Sequence, residues 1–204
     1  MKISEVSKIM TQLVKSDYML NDKAHQLGHA CHVAMNAIAI VDKLFSGDHR
    51  LKTLAVIASY AHDVRNWQDR DTHHMLGAVW IMDHQSELKQ AFALTNNELF
   101  QIASACMTHR ASCTIKRKYD VEHILATADR GELSSDKLPR MIDRAALYTI
   151  DKIGCTEESA IHHAHIHMKE KFGRNGYAYQ NFPNCYMDMW GDGLNELWDA
   201  IDAL

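Results

Sequence analysis

The stretch Leu54-Ala55-Val56-Ile57-Ala58-Ser59-Tyr60-Ala61-His62-Asp63 decides the fold. Eight residues of low polarity end on an imidazole and a carboxylate. A segment apolar on most of its sides reads as a helix buried at the centre of a domain. With the Ser46-Gly47-Asp48 turn in front of it, the pattern predicts a helix over 49–63 that delivers His62 and Asp63 at its end. Working outward, apolar residues at helical spacing predict helices over 3–20 and over 23–45, the second carrying His25, His29, Val33, Ala37 and Ile40. Downstream, helices are expected over 73–90, 96–110, 120–129, 138–153, 156–172 and 192–203. Thr95-Asn96-Asn97-Glu98 has the form of a capping box, and Pro139 falls in a first helical turn, where proline is tolerated. Residues 111–119, with the basic knot Lys116-Arg117-Lys118, and the aromatic- and Gly-rich 173–193 read as loops. No repeat or linker interrupts the pattern, so the expectation is an all-α chain forming one domain over 1–204.

Composition narrows the function. The chain has 204 residues, 47% of them hydrophobic, and a net charge of -4 with His neutral, so a sizeable core is available and a broad basic face for nucleic acid is not expected. Its five cysteines, Cys31, Cys106, Cys113, Cys155 and Cys185, are odd in number and contain no CxxC pair, which points to reduced thiols. The N-terminal residues lack a signal-peptide core, and no apolar stretch approaches the roughly 20 residues that span a bilayer. The expected setting is cytoplasmic, without a membrane; the oligomeric state is open. There are 14 histidines, more than structure alone asks for.

Several of those histidines fall in a series with acids. His25 and His29 are four apart, on one face of a predicted helix. His62-Asp63 follows, then His73-His74, His109 and Asp129. These are nitrogen and oxygen donors with no thiolate among them, a set suited to Mn, Fe, Mg, Co, Ni or Zn. In order and spacing the series resembles the HD-domain metal-dependent phosphohydrolases, over about residues 23–150. In that family a His within one helix precedes a His-Asp pair ending a later apolar helix, and a distant Asp often stands in an Ala-Asp-Arg-like run. His29, His62-Asp63 and Asp129 in Ala128-Asp129-Arg130 match those positions. His74-Met75-Leu76-Gly77-Ala78 is similar to the His-x-x-Gly-Ala form found in members with a second metal, and His109 to the histidine that follows it. Which of the neighbours His73 and His74 is the ligand stays open from spacing alone. One departure is His32-Val33, where Arg-Val is usual after the first His.

The resemblance implies an HD-type helical bundle holding one or two divalent ions through His29, His62, Asp63, His74, His109 and Asp129, with Asp63 bridging. It implies hydrolysis of a phosphate ester or anhydride, of a small phosphorylated substrate such as a nucleotide, by metal-activated water. Asp63, Arg65 and His25 are the expected catalytic residues: Arg65 as a phosphate contact, for which a guanidinium fork is suited, and His25 as a general acid. Lys116 to Lys118, Arg130 and Arg140 are further phosphate candidates. Two other functions stay open: a di-iron oxygenase on the same fold and a non-catalytic metal-binding regulatory module. The run His162-His163-Ala164-His165-Ile166-His167 reads as a polar helix face, and Tyr177, Tyr179, Phe182, Tyr186 and Trp190 as packing residues or a base-stacking surface.

Overall fold

A computed structural model describes residues 1–22 and 25–204. Every regular element among them is helical. The α-helices are α1 (Ile3–Tyr18), α2 (Leu27–Leu44), α3 (His49–Ala61), α4 (His73–Asp83), α5 (Gln85–Phe92), α6 (Asn96–Thr108), α7 (Asp120–Arg130), α8 (Leu138–Ile153), α9 (Glu157–Phe172), α10 (Cys185–Trp190) and α11 (Leu194–Asp202). The chain separates into two compact units, Met1–Gly131 with Pro183–Met189, and Glu132–Phe182 with Trp190–Leu204. Every residue of the expected metal site lies in the first.

In the first unit α3 is the central post. Asp48 caps it, its carboxylate accepting from the backbone N–H of Arg50 and Leu51, and each residue from Thr53 to Ala61 is buried. Helices α1, α2, α6 and α7 all pack against it. Each brings one apolar stripe; that of α1 is Val6, Met10, Val14 and Tyr18, at steps of four. The capping box at Thr95 and Glu98 forms. The guanidinium of Arg50 binds both oxygens of Glu98, at 2.5 and 2.7 Å, and also donates to the carbonyls of Phe92 and Ala93, so it fastens the start of α3 to the α5–α6 junction.

Three elements differ from expectation. Helix α2 begins at Leu27, so His25 stands before it; residues 23 and 24 of the expected helix lie outside the described residues. The helix expected over 73–90 is two helices meeting at His84. There the imidazole stacks on Trp80 at 4.1 Å and donates to the Trp80 carbonyl, which holds His84 at φ -97, ψ 16, outside the helical region. The segment 173–193 is not all loop: it contains a 3-10 turn at Tyr177–Tyr179 and helix α10. Tyr186, on α10, is fully buried in the first unit, its hydroxyl donating to the Gly131 carbonyl at 3.0 Å.

The second unit is built on α8 and α9. Ala146 meets Ala160 and Ala164, small residues that let the helices approach closely, and Ile142, Ala145, Ile150 and Cys155 flank the contact. Helix α11 adds Leu194, Leu197 and Ile201. Tyr179 takes a hydrogen bond from the Trp198 indole at 3.1 Å and meets Phe182 edge to face. Tyr179, Phe182 and Tyr186 therefore act as packing groups. No helix among the described residues is long and apolar enough to cross a membrane.

Candidate metal centre

The histidines and acids of the series converge at helix ends. His62 is the residue that terminates α3, and His109 terminates α6. Asp129 is in the last turn of α7, His29 in the first turn of α2, and His73 is the first residue of α4. The last carbonyls of a helix have no intrahelical partner and carry the negative end of its dipole. Three such ends, those of α3, α6 and α7, meet here, a setting that favours a cation.

Asp63 is the centre of the arrangement, 3% exposed. Its two oxygens face different sets of donors. Oδ2 lies 3.3 Å from His62 Nε2 and 3.7 Å from His29 Nε2. Oδ1 lies 3.3 Å from His73 Nε2 and 3.8 Å from His109 Nε2. Asp129 completes the first set, its Oδ1 being 3.2 Å from His29 Nε2 and 3.6 Å from His62 Nε2. Among the described residues, the donor atoms of His29, His62 and Asp129 all lie within 4.8 Å of one another, as do those of His62, Asp63 and His109.

Hydrogen bonds fix the tautomers. Nδ1 of His62 donates to the Ser59 carbonyl at 2.7 Å, Nδ1 of His73 to the Arg70 carbonyl at 2.5 Å, and Nδ1 of His109 to the Cys106 carbonyl at 2.7 Å. A carbonyl can only accept, so Nδ1 carries the hydrogen in each ring, and the neutral ring presents a bare Nε2 to the cluster. This backbone anchoring of the far nitrogen is how a metal-ligating histidine is usually oriented. Nε2 of His62 is fully buried, with the carboxylate oxygens of Asp63 and Asp129 at 3.3 and 3.6 Å but neither in hydrogen-bond geometry. Nε2 of His73 and Nε2 of His109 lie 3.3 Å apart. Two lone pairs at that distance repel unless a proton or a cation lies close to both.

A proton is disfavoured for that pair. Burial pushes His109 down to about 3, and burial lowers His73 as well, against the pull of Asp63. His62 is the opposite case. Burial opposes its charge, yet the carboxylates of Asp63 and Asp129 outweigh it and hold His62 well above the ordinary histidine value. Burial likewise opposes ionised Asp63 and Asp129, but contacts with His62, and with His29 for Asp129, keep both below the usual carboxylate range. The donor set, the buried Nε2 of His62 and the fixed tautomers fit a divalent-metal centre.

The chain matches no protein-family model, no curated protein and no solved structure. The case for a metal centre therefore rests on the geometry of these residues.

Of the expected residues, His29, His62, Asp63, His109 and Asp129 come together. His74 does not join them: its place beside Asp63 is taken by His73. Gly77 explains the choice. It approaches the end of α3 so closely that an added Cβ would lie 2.8 Å from the carbonyl oxygens of both Ala61 and His62. His73 shares a stripe with Gly77 and Trp80, at steps of four and three, and is delivered to the same place. His74 points instead toward Arg110 and the 112–115 loop. Arg65 is also turned away, its guanidinium paired with Asp83 at 2.8 Å, because that carboxylate ends α4 next to it. His25 stands at the rim, its ring 6.0 Å from that of His29, with Nδ1 held by the Asp22 carboxylate at 2.8 Å. Among the other phosphate candidates, Arg117 is buried and donates to the Thr108 carbonyl, while Arg130 donates to the carbonyls of Ala126 and His109. Both support the backbone behind the cluster. Arg140 lies on α8 of the second unit.

Sequence reasoning missed Asn21. Buried at 6% exposure, it donates to the carbonyls of His25 and Asp63, each at 2.9 Å, and accepts from Trp67 N–H at 2.8 Å. One amide thus ties the segment before α2 to the turn that carries Asp63. Tyr18 was missed as well; its hydroxyl is buried near Asp63, and burial together with that charge raises its pKa. Asn21 falls in the gap between the helices expected over 3–20 and 23–45, and that gap is its one local signal.

Proposed function

We propose that this protein is an HD-type metal-dependent phosphohydrolase acting on a phosphate ester or anhydride, with a nucleotide as the substrate class. The observation that carries the reading is the division of Asp63, whose two oxygens serve two separate donor sets. His29, His62, Asp129 and Oδ2 of Asp63 would hold one ion; His73, His109 and Oδ1 would hold a second. When bound, such ions supply positive charge against phosphate oxygens and the acidity that makes water nucleophilic near neutral pH.

The chain's own groups supply the rest. The backbone-anchored histidines keep their lone pairs aimed without reorganising. Asp22 holds Nδ1 of His25, leaving Nε2 of that ring as the atom that takes up or gives a proton at the rim, the part of a general acid for the departing group. Asn21 fixes both His25 and the Asp63 turn, and so sets the acid relative to the metal ligands.

The test is phosphate release from a nucleotide panel with Mn, Mg, Fe, Co or Ni added, beside a His62→Ala variant. Release by the wild type and its loss in a folded variant support the hydrolase. Two equivalents of iron with oxygen consumption and no release on any substrate would replace it with an oxygenase. Bound metal without turnover of any kind would leave a binding module.

A further inference from the structure

A cavity of about 260 Å³ adjoins the cluster, lined by His74, Arg110, Ser112, Cys113, Thr114 and Ile115. Its lining contains a guanidinium, an imidazole, two hydroxyls and a thiol, and no carboxylate. The Cys113 thiol donates to the Met107 carbonyl; the guanidinium, the imidazole and the two hydroxyls are donor groups, which is the chemistry of an anion site. Its position is fixed by the ligands themselves: His74 follows His73, and Arg110 follows His109. The rings of His73 and His74 are 5.8 Å apart. An anion in the cavity would therefore lie one residue's breadth from a phosphate held at the second donor set.

The cavity is also built. Arg110 is anchored by donating one guanidinium N–H to the Asp71 carbonyl, which positions the fork. The backbone N–H of Cys113 returns to the Arg110 carbonyl at 3.1 Å, closing the loop that carries Ser112 and Thr114. Nδ1 of His74 is buried with no hydrogen-bond partner. A buried N–H without a partner costs more than a bare ring nitrogen, so the hydrogen belongs on Nε2, where His74 is a donor.

We propose that this cavity receives a second phosphate group of the substrate, making the substrate class a phosphoanhydride rather than a phosphomonoester. The inference rests on the phosphohydrolase reading of the cluster. In the reaction, water forms the new P–O bond and the bridging P–O bond breaks. The leaving phosphate keeps the bonding pair, and the proton lost by water ends on it or in solvent.

The test measures binding of inorganic pyrophosphate and of orthophosphate by calorimetry, with metal content determined on the same samples. Metal-loaded wild-type protein is expected to favour pyrophosphate by about tenfold or more, as one additional charge-assisted contact gives. Arg110→Gln should bring that ratio close to one with metal content retained. Ser112→Ala, which leaves the Asp71 contact intact, should lower it several-fold. A metal-loaded wild type without preference, or a preference untouched in both variants, overturns the subsite and leaves the metal centre standing. An Arg110-dependent preference in protein that takes up no metal keeps the anion site and sinks the metal reading; neither metal nor preference sinks both.

Discussion

His73 and His109 face each other Nε2 to Nε2 across 3.3 Å, and each has its Nδ1 engaged by a backbone carbonyl. The contact is repulsive between neutral rings and attractive around a cation. It follows that His73→Ala should weaken binding of the second metal equivalent by about tenfold or more, since altering even an outer partner of a metal ligand costs that much. His74→Ala should leave both equivalents in place. Metal titration of the two variants checks this, and equal effects would undo the assignment of His73.

Gly77 lies against the end of α3, where a Cβ would meet two carbonyl oxygens at 2.8 Å. Backbone cannot yield as a flexible side chain does, so Gly77→Ala should push α4 outward. The expected loss is about 1–3 kcal/mol, the usual cost of overpacking a tight contact, accompanied by weaker metal binding through displaced His73. Urea denaturation with a metal titration reads both; a variant as stable as the wild type would mean that α4 shifts freely.

Asn21 makes three hydrogen bonds, and the one to the Asp63 carbonyl is fully buried. Asn21→Ala should cost about 1–3 kcal/mol, the penalty of leaving buried polar groups unpaired. Asn21→Asp, which can still accept from Trp67 but cannot donate to the two carbonyls, should be no better. Thermal unfolding of the two variants settles this, and a fully stable Asp variant would contradict the donor assignment.

Glu98 is held down at about 2, chiefly by its hydrogen bonds from Arg50. A carboxyl whose folded pKa is depressed stabilises the fold above its unfolded value of 4.5 and loses that contribution as pH falls toward about 2. Unfolding curves between pH 5 and pH 3 should show a smaller acid loss for Glu98→Gln than for the wild type. An identical acid loss would show that other carboxylates dominate.

The helical class, the central position of α3 and the convergence of His29, His62, Asp63, His109 and Asp129 were legible in the sequence, because apolar periodicity and the order of His and Asp residues are local signals. The orientation of His74 was not. His73 and His74 are equally placed by spacing, and only the approach of Gly77 to Ala61 and His62 decides which one reaches Asp63. Arg65 illustrates the same limit: its neighbourhood to Asp63 in sequence says nothing of Asp83, eighteen positions after Arg65, which captures it. The break at His84 depends on a ring stacking on Trp80, and the role of Asn21 depends on two carbonyls brought to it by the fold.

The central claim is that Asp63 divides two ions between two donor sets, and elemental analysis of the purified protein tests it most directly. Wild-type protein saturated with Mn or Fe and freed of excess is predicted to retain two equivalents, His73→Ala one, and Asp63→Ala fewer than one. Folded wild-type protein that retains no metal would contradict the account.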